Sequence, residues 1–172
     1  YNAMTSNTTG ASNTVMGYNA LRLNLIGNIN VALGDSALQA TTGSNLTAVG
    51  SRALKSNTTG LYNTAIGYRN MVANTTGSYN TAIGFEALRS NTSANGNVAV
   101  GYFALKNNTT AANSIAIGNF ALENNNNSTN VAVGSFALQT NVTGTDLTAI
   151  GHGTIASVDG LINSSVIGNT AT

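Results

Sequence analysis

The chain has 172 residues, of which only 6% are charged where an ordinary domain carries about a quarter, and it contains no Pro, Cys or Trp. Six scattered basic residues and a net charge of +1 leave no electrostatic footprint for nucleic acid or an anionic membrane, and the absence of cysteine excludes disulfides and thiolate metal sites. Asn, Thr, Ser and Gly replace the missing charges, yet the 42% hydrophobic fraction is rich in aliphatic and β-branched residues, so the chain is expected to fold.

From the amino end onward, the recurrent element is a short aliphatic strand closed by glycine: TVMG, VALG, TAVG, TAIG, TAIG, VAVG, IAIG, VAVG, TAIG and SVIG. The glycines are Gly17, Gly34, Gly50, Gly67, Gly84, Gly101, Gly118, Gly134, Gly151 and Gly168. Their spacing is 17 residues, shortened to 16 from Gly34 to Gly50 and from Gly118 to Gly134. Such a period marks a repeat architecture, a single array over residues 1–172 with a degenerate last coil at 152–168. After seven of the ten glycines comes an Ala-Leu pair, as at Ala37-Leu38, Ala87-Leu88 and Ala104-Leu105, with Asn70-Met71 and Thr154-Ile155 in the same slot of two others, then a polar turn such as Asn57-Thr58-Thr59-Gly60 or Asn74-Thr75-Thr76-Gly77. These turns would break a helical repeat of paired units, while the alternation inside TAIG argues for strands. The predicted fold is therefore all-β: a parallel β-solenoid of about ten coils of 16–17 residues. Coils about 4.8 Å apart would give a rod of roughly 48 Å.

Columns read across the units assign faces. The residue before glycine is always large and aliphatic, including Ile66, Ile83, Val100 and Ile117, and is expected to face the core together with the Thr/Val/Ile column two residues earlier. The residue between them is Ala in eight of ten units, including Ala65, Ala82, Ala99 and Ala116. Small apolar side chains there suggest a close approach of other backbone, either the opposite wall of a thin solenoid or a neighbouring subunit. Because a coil has one interior, a strand apolar on both faces predicts oligomerisation. Arg22, Gln39, Lys55, Arg89, Lys106, Glu123 and Gln139 share the slot after Ala-Leu and are expected to be solvated.

The units NTAIG, NVAVG and SIAIG resemble the repeats of trimeric autotransporter adhesin heads, and the longer form NTAIGYxALxSNTTG resembles repeats of phage tail fibres. The resemblance covers the whole chain and implies a left-handed parallel β-roll, three chains around one axis, and binding of host surface components. It departs from the adhesin heads in its longer period and in showing no neck, stalk or membrane anchor. Since Tyr1 falls in the slot just after the motif glycine, the chain is read as a segment of a longer fibre protein on a cell or virion surface.

Candidate chemistry is sparse. The only histidine, His152, sits in a slot that elsewhere holds Tyr18, Asp35, Ser51, Tyr68, Phe85, Tyr102, Asn119 and Ser135, and reads as an exposed substitution. The five acids, Asp35, Glu86, Glu123, Asp146 and Asp159, share no slot in adjacent coils, so no carboxylate pair or calcium turn is expected. No catalytic, cofactor or metal site is assigned, and the chain is read as no enzyme. Phe103, Phe120 and Phe136 fall in one slot of consecutive coils, with Tyr62 and Tyr79 as a shorter pair. They form a candidate strip for a sugar or partner fibre, against a plainer reading as aromatic packing at a bend or between subunits. Asn-x-Ser/Thr tripeptides at Asn7, Asn57, Asn74, Asn91, Asn108 and Asn127 are read as turn residues forming amide ladders, with glycosylation left open.

The functional expectation is a trimeric structural or adhesive fibre segment that binds a cell-surface glycan or matrix protein. The alternatives are a self-assembling extracellular filament and an ice- or crystal-surface binder using Thr47, Thr64, Thr81 and Thr148. The last needs those threonines exposed, whereas their alternation with Val31, Val98, Ile115 and Val131 predicts burial.

Overall fold

In the computed structural model, which describes residues 2–155 and 160–170, ten strands of three residues form one parallel sheet in sequence order. They are β1 (Thr14–Met16), β2 (Val31–Leu33), β3 (Thr47–Val49), β4 (Thr64–Ile66), β5 (Thr81–Ile83), β6 (Val98–Val100), β7 (Ile115–Ile117), β8 (Val131–Val133), β9 (Thr148–Ile150) and β10 (Ser165–Ile167). Each strand residue pairs with its counterpart one coil later, as in Thr64 with Thr81, Ala65 with Ala82 and Ile66 with Ile83. The short coils keep this register, Val31 still facing Thr47, because the missing residue is taken from the polar turn: Thr41-Thr42-Gly43 stands where a full unit has Asn74-Thr75-Thr76-Gly77. The parallel β-solenoid read from the period is thus what the chain forms. Tyr1 and the drifting Ser157-Val158-Asp159 stretch lie outside the described residues.

The faces are assigned differently from the sequence reading. The interior belongs to the alanine column: Ala32, Ala48, Ala65, Ala82, Ala99, Ala116, Ala132 and Ala149 have no exposed surface, and they form one cluster with Leu21, Leu38, Leu54, Met71, Leu88, Leu105, Leu122 and Leu138. Ile66, Ile83 and Ile117, expected in the core, point outward and are exposed, while Val100 is half-buried. The Thr/Val/Ile column turns outward with them, half-buried at Thr47, Thr64, Thr81 and Thr148 rather than buried. Cross-section explains the inversion. The leucines of the bend already fill the thin coil, so the strand opposite can contribute only a methyl group without overpacking.

Filling the core from the bend requires unusual backbone. Leu88, Leu105 and Leu122 have φ of 50°, and the preceding position but one is also left-handed, as in Glu86 (52°) and Phe103 (59°). A left-handed non-glycine residue costs about 1–2 kcal/mol and burying a leucine stabilises by about 1.5–3 kcal/mol, so with two such residues in a bend the leucine offsets most of the strain and the hydrogen bonds between coils must supply the rest. The conformation also aims peptide groups along the rod: Glu86 N–H donates to Tyr68 O in the preceding coil (3.0 Å), and Leu88 N–H to Ala104 O in the following one (3.0 Å). At Gly84, with φ +130°, a Cβ would lie 2.5 Å from Gly101 O, so the corner after the strand admits only glycine.

The other half of the interior is polar. In the turn column, Asn74 Nδ2 donates to Asn57 Oδ1 (2.7 Å) and to Gly77 O (2.9 Å), and Asn91 Nδ2 donates to Asn74 Oδ1 (2.7 Å). A second ladder comes from the Asn that opens NTAIG: Asn80 N–H donates to Asn63 Oδ1 and Asn97 N–H to Asn80 Oδ1, both at 2.9 Å, while Asn63 Nδ2 donates to Gly77 O (2.7 Å). Peptide carbonyls that turn into a dry interior are thereby satisfied by side-chain amides. Of the Asn-x-Ser/Thr residues expected to form amide ladders, Asn7, Asn57, Asn74 and Asn91 do so, Asn108 bonds only within its own coil, and Asn127 lies outside the ladder, where Asn125 takes the slot. Asn57, Asn74, Asn91 and Asn108 are wholly buried, so the glycosylation left open there is closed to the folded coil. Two successive rungs are missing, where Ala94 and Ala111 occupy the glycine slot: Asn108 Nδ2 bonds Ala111 O instead of Asn91, Asn125 Nδ2 bonds Asn127 O instead of Asn108, and Asn91 Oδ1 has no partner. At the equivalent Gly77 an added Cβ would come within 2.8 Å of Asn91 Nδ2, and the methyl group of Ala94 displaces the next rung in the same way.

Asn74→Ala removes three of these bonds and leaves buried acceptors unpaired. It is expected to lower unfolding free energy by about 3 kcal/mol in urea denaturation followed by circular dichroism, and a change within about 0.5 kcal/mol would show the ladder to be dispensable.

Candidate functional site

Turning Ala inward leaves two β-branched or aliphatic columns on the outer face of the sheet. Ile66, Ile83, Ile117 and Ile150 are 39%, 38%, 41% and 42% exposed, Ile115 in the neighbouring column is also exposed, and Leu33, Val49, Val100 and Val133 are half-buried. Neighbouring strands lie about 4.8 Å apart, so these columns run for roughly 43 Å along the rod. An aliphatic column of this length is uncommon on the surface of a protein that is otherwise polar.

Beside the sheet runs an aromatic ladder longer than the three phenylalanines visible in one column. Tyr68, Phe85 and Tyr102 occupy the slot after the motif glycine and stack with centroids 5.3 Å apart. The ladder then shifts by one residue: Tyr102 meets Phe103 at 4.0 Å, Phe103 meets Phe120 edge-on at 5.4 Å, Phe120 stacks on Phe136 at 5.3 Å, and His152 closes it edge-on to Phe136 at 5.8 Å. Tyr68, Phe85 and Tyr102 are exposed, while Phe103, Phe120 and Phe136 are half-buried in the left-handed slot. Tyr62 and Tyr79 stack separately at 5.1 Å and are well exposed. Where rings stack along the rod, their faces cover one another and their edges point outward. A sugar packs on a ring face, so a stacked ladder offers it little, whereas side-chain edges suit packing against another protein surface.

The charged residues are drawn into the same region. Glu86, 6% exposed, lies between Arg69 (3.1 Å) and Arg89 (3.4 Å). Lys106 reaches Glu123 at 3.8 Å and sits 3.8 Å above the ring of Phe103. The column expected to be solvated is therefore half-buried and partly ion-paired, and within it Lys106 lies over the ladder at Phe103. Among the described residues no three His, Cys, Asp or Glu side chains converge as a metal site would require, and no helix is long and apolar enough to cross a membrane.

Nothing in the sequence pattern flagged Tyr68, Phe85 and Tyr102, although they share a slot in three consecutive coils. What hides the ladder is the step from one slot to the next, because adjacent residues ordinarily point apart.

Glu86→Ala strands two arginines beside an apolar ladder, one-third exposed at Arg69 and slightly more at Arg89, so screening discounts the loss to about 1–2 kcal/mol. Glu123→Ala, which removes the longer Lys106 contact and a 2.9 Å hydrogen bond donated by Gln139 Nε2, leaves one cation unpaired instead of two and is expected to cost less, about 0.5–1 kcal/mol. Urea denaturation of both variants checks the order, and equal losses would contradict a special role for Glu86.

Compared with protein-family models, with curated proteins and with solved structures, the chain matches none.

Proposed function

We propose that this chain is a segment of a structural, adhesive surface fibre, in which three copies pack around one axis through their outer sheet faces and present a rigid repetitive surface to a host or cell-surface ligand. The observation that carries the reading is the pair of outward columns that runs through ten strands, the first aliphatic throughout, with Met16 and Leu33 before its valines and isoleucines, and the second Thr, Val or Ile except at Ser165. An isolated rod would leave that face in water, where about 25 cal/mol is lost for each Å² of apolar surface left uncovered. Sister chains with the same spacing are a natural cover, since matching repeats keep their side chains in step along the whole contact. The array supplies stiffness, because interior strands are hydrogen-bonded on both sides. The exposed turn residues Thr58, Thr59, Thr76, Thr109 and Thr110 are the positions left to touch a glycan or matrix protein outside the cell or on a virion.

A second reading has one observation in its favour. Thr47, Thr64, Thr81 and Thr148 stand on the outer face, where an ice- or crystal-binding surface would need them. Valine and isoleucine interrupt that column, and a trimer would cover it, so the two readings exclude each other.

Light scattering on the purified chain distinguishes them. The fibre reading expects a particle of three times the 17.4 kDa chain mass, and Ile83→Lys, which alters only the outer face, should fold and sediment as a monomer. A monomeric parent chain overturns the trimer, and a monomer with thermal hysteresis installs the surface-binding reading in its place. Mass that grows without limit as concentration rises would instead favour an open-ended filament.

A further inference from the structure

We propose that Tyr62 and Tyr79 form an oxidative cross-linking site, at which a haem-peroxidase type of oxidant with hydrogen peroxide joins the two rings into a dityrosine staple between consecutive coils. The site does not depend on the fibre reading.

The two residues occupy the same slot of adjacent coils, with φ of 55° and 61°. Matching backbone sends their Cα–Cβ bonds out in parallel, and Tyr79 N–H, donating to Leu61 O at 3.0 Å, fixes the register beneath them. The rings lie 5.1 Å apart and 9° from parallel, and the residues are 50% and 65% exposed, so an oxidant can reach both phenols and their side chains can rotate freely. Among the described residues this is the sole tyrosine–tyrosine ring contact: Phe85 separates Tyr68 from Tyr102, and the slot one coil after Tyr18 holds Asp35.

The chemistry balances without another component. Each phenol loses one electron and its hydroxyl proton to give a tyrosyl radical. The two radicals form one carbon–carbon bond between ring positions ortho to the oxygens, and each ring regains aromaticity as its displaced ortho hydrogen returns to the phenol oxygen. Hydrogen peroxide takes up the two electrons and two protons and leaves as two waters. Holding the rings as neighbours makes coupling within the chain faster than encounters between chains in dilute solution. The product ties one coil to the next in a chain that has no cysteine to do so, and such a closed loop narrows the unfolded ensemble.

The test treats the dilute, purified chain with a haem peroxidase and hydrogen peroxide, then reads dityrosine fluorescence, a denaturing gel and peptide masses. The expected product migrates as a single chain and yields a linked peptide pair containing Tyr62 and Tyr79, lighter by two hydrogens than the separate peptides. Tyr79→Phe keeps the ring stack and should abolish the intrachain signal, while Tyr68→Phe should leave it unchanged. Linkage through any other tyrosine pair, exclusively interchain products, undiminished signal in Tyr79→Phe, or no dityrosine in the folded parent would each overturn the proposal.

Discussion

Everything in this molecule follows from how thin the coil is. Ten strands stacked in register leave an interior with room, in most coils, for a leucine or methionine and its small neighbour from the bend, one alanine from the strand and amide side chains from the turn. A core of that width cannot be filled by alternating large residues in the ordinary way. The chain instead places leucine at left-handed backbone, where burial and the hydrogen bonds between coils together offset the conformational cost, and puts methyl groups on its strand. The buried asparagines are the second half of the same solution: peptide groups that turn inward are satisfied by side-chain amides, most of which span two coils. Ala94 shows how tight the fit is, since one extra methyl group breaks the ladder at Asn91.

The thinness also determines what the outside looks like. With alanine inside, the isoleucines and valines of the strand have nowhere to go except outward, and an apolar sheet face accompanies the fold as a consequence. The neighbouring aromatic ladder and the Arg69–Glu86–Arg89 contact lie along the bend, where left-handed residues bring successive slots close enough for rings to change lanes at Tyr102 and Phe103. Stacking covers the faces of these rings, which makes the ladder better suited to stiffening the rod and meeting protein than to holding a sugar. The two outer features lie side by side, and a fibre that buried one would place the other at the rim of the contact.

Much of this was legible in the sequence, and the rest was hidden for physical reasons. The glycines from Gly17 to Gly168 were enough for the period, the strands and the parallel register, because repetition leaves few ways to stack. The orientation of the strand was not legible. Thr64-Ala65-Ile66 is apolar on both sides, so polarity gave no direction, and only the volume left by Met71 and Leu88 decides which side fits. Phe103, Phe120 and Phe136 were visible as one column, while Tyr68, Phe85 and Tyr102 belong to a different column that joins it only in three dimensions. The Asn that opens each NTAIG unit, Asn63 or Asn80, carries no mark in the sequence that sets it apart from the many other asparagines. Its burial is invisible without knowing that the peptide groups beside it face inward.

The most direct test of this account is the sign of one small change, Ala82→Val, in urea denaturation. Valine is the better strand former, so on an outward or loosely covered face it would be neutral or mildly stabilising. If alanine lies against the opposite wall of a thin coil, the added carbons must push that wall apart, and the account predicts a loss of about 1–3 kcal/mol. Stability equal to or above that of the parent would contradict it.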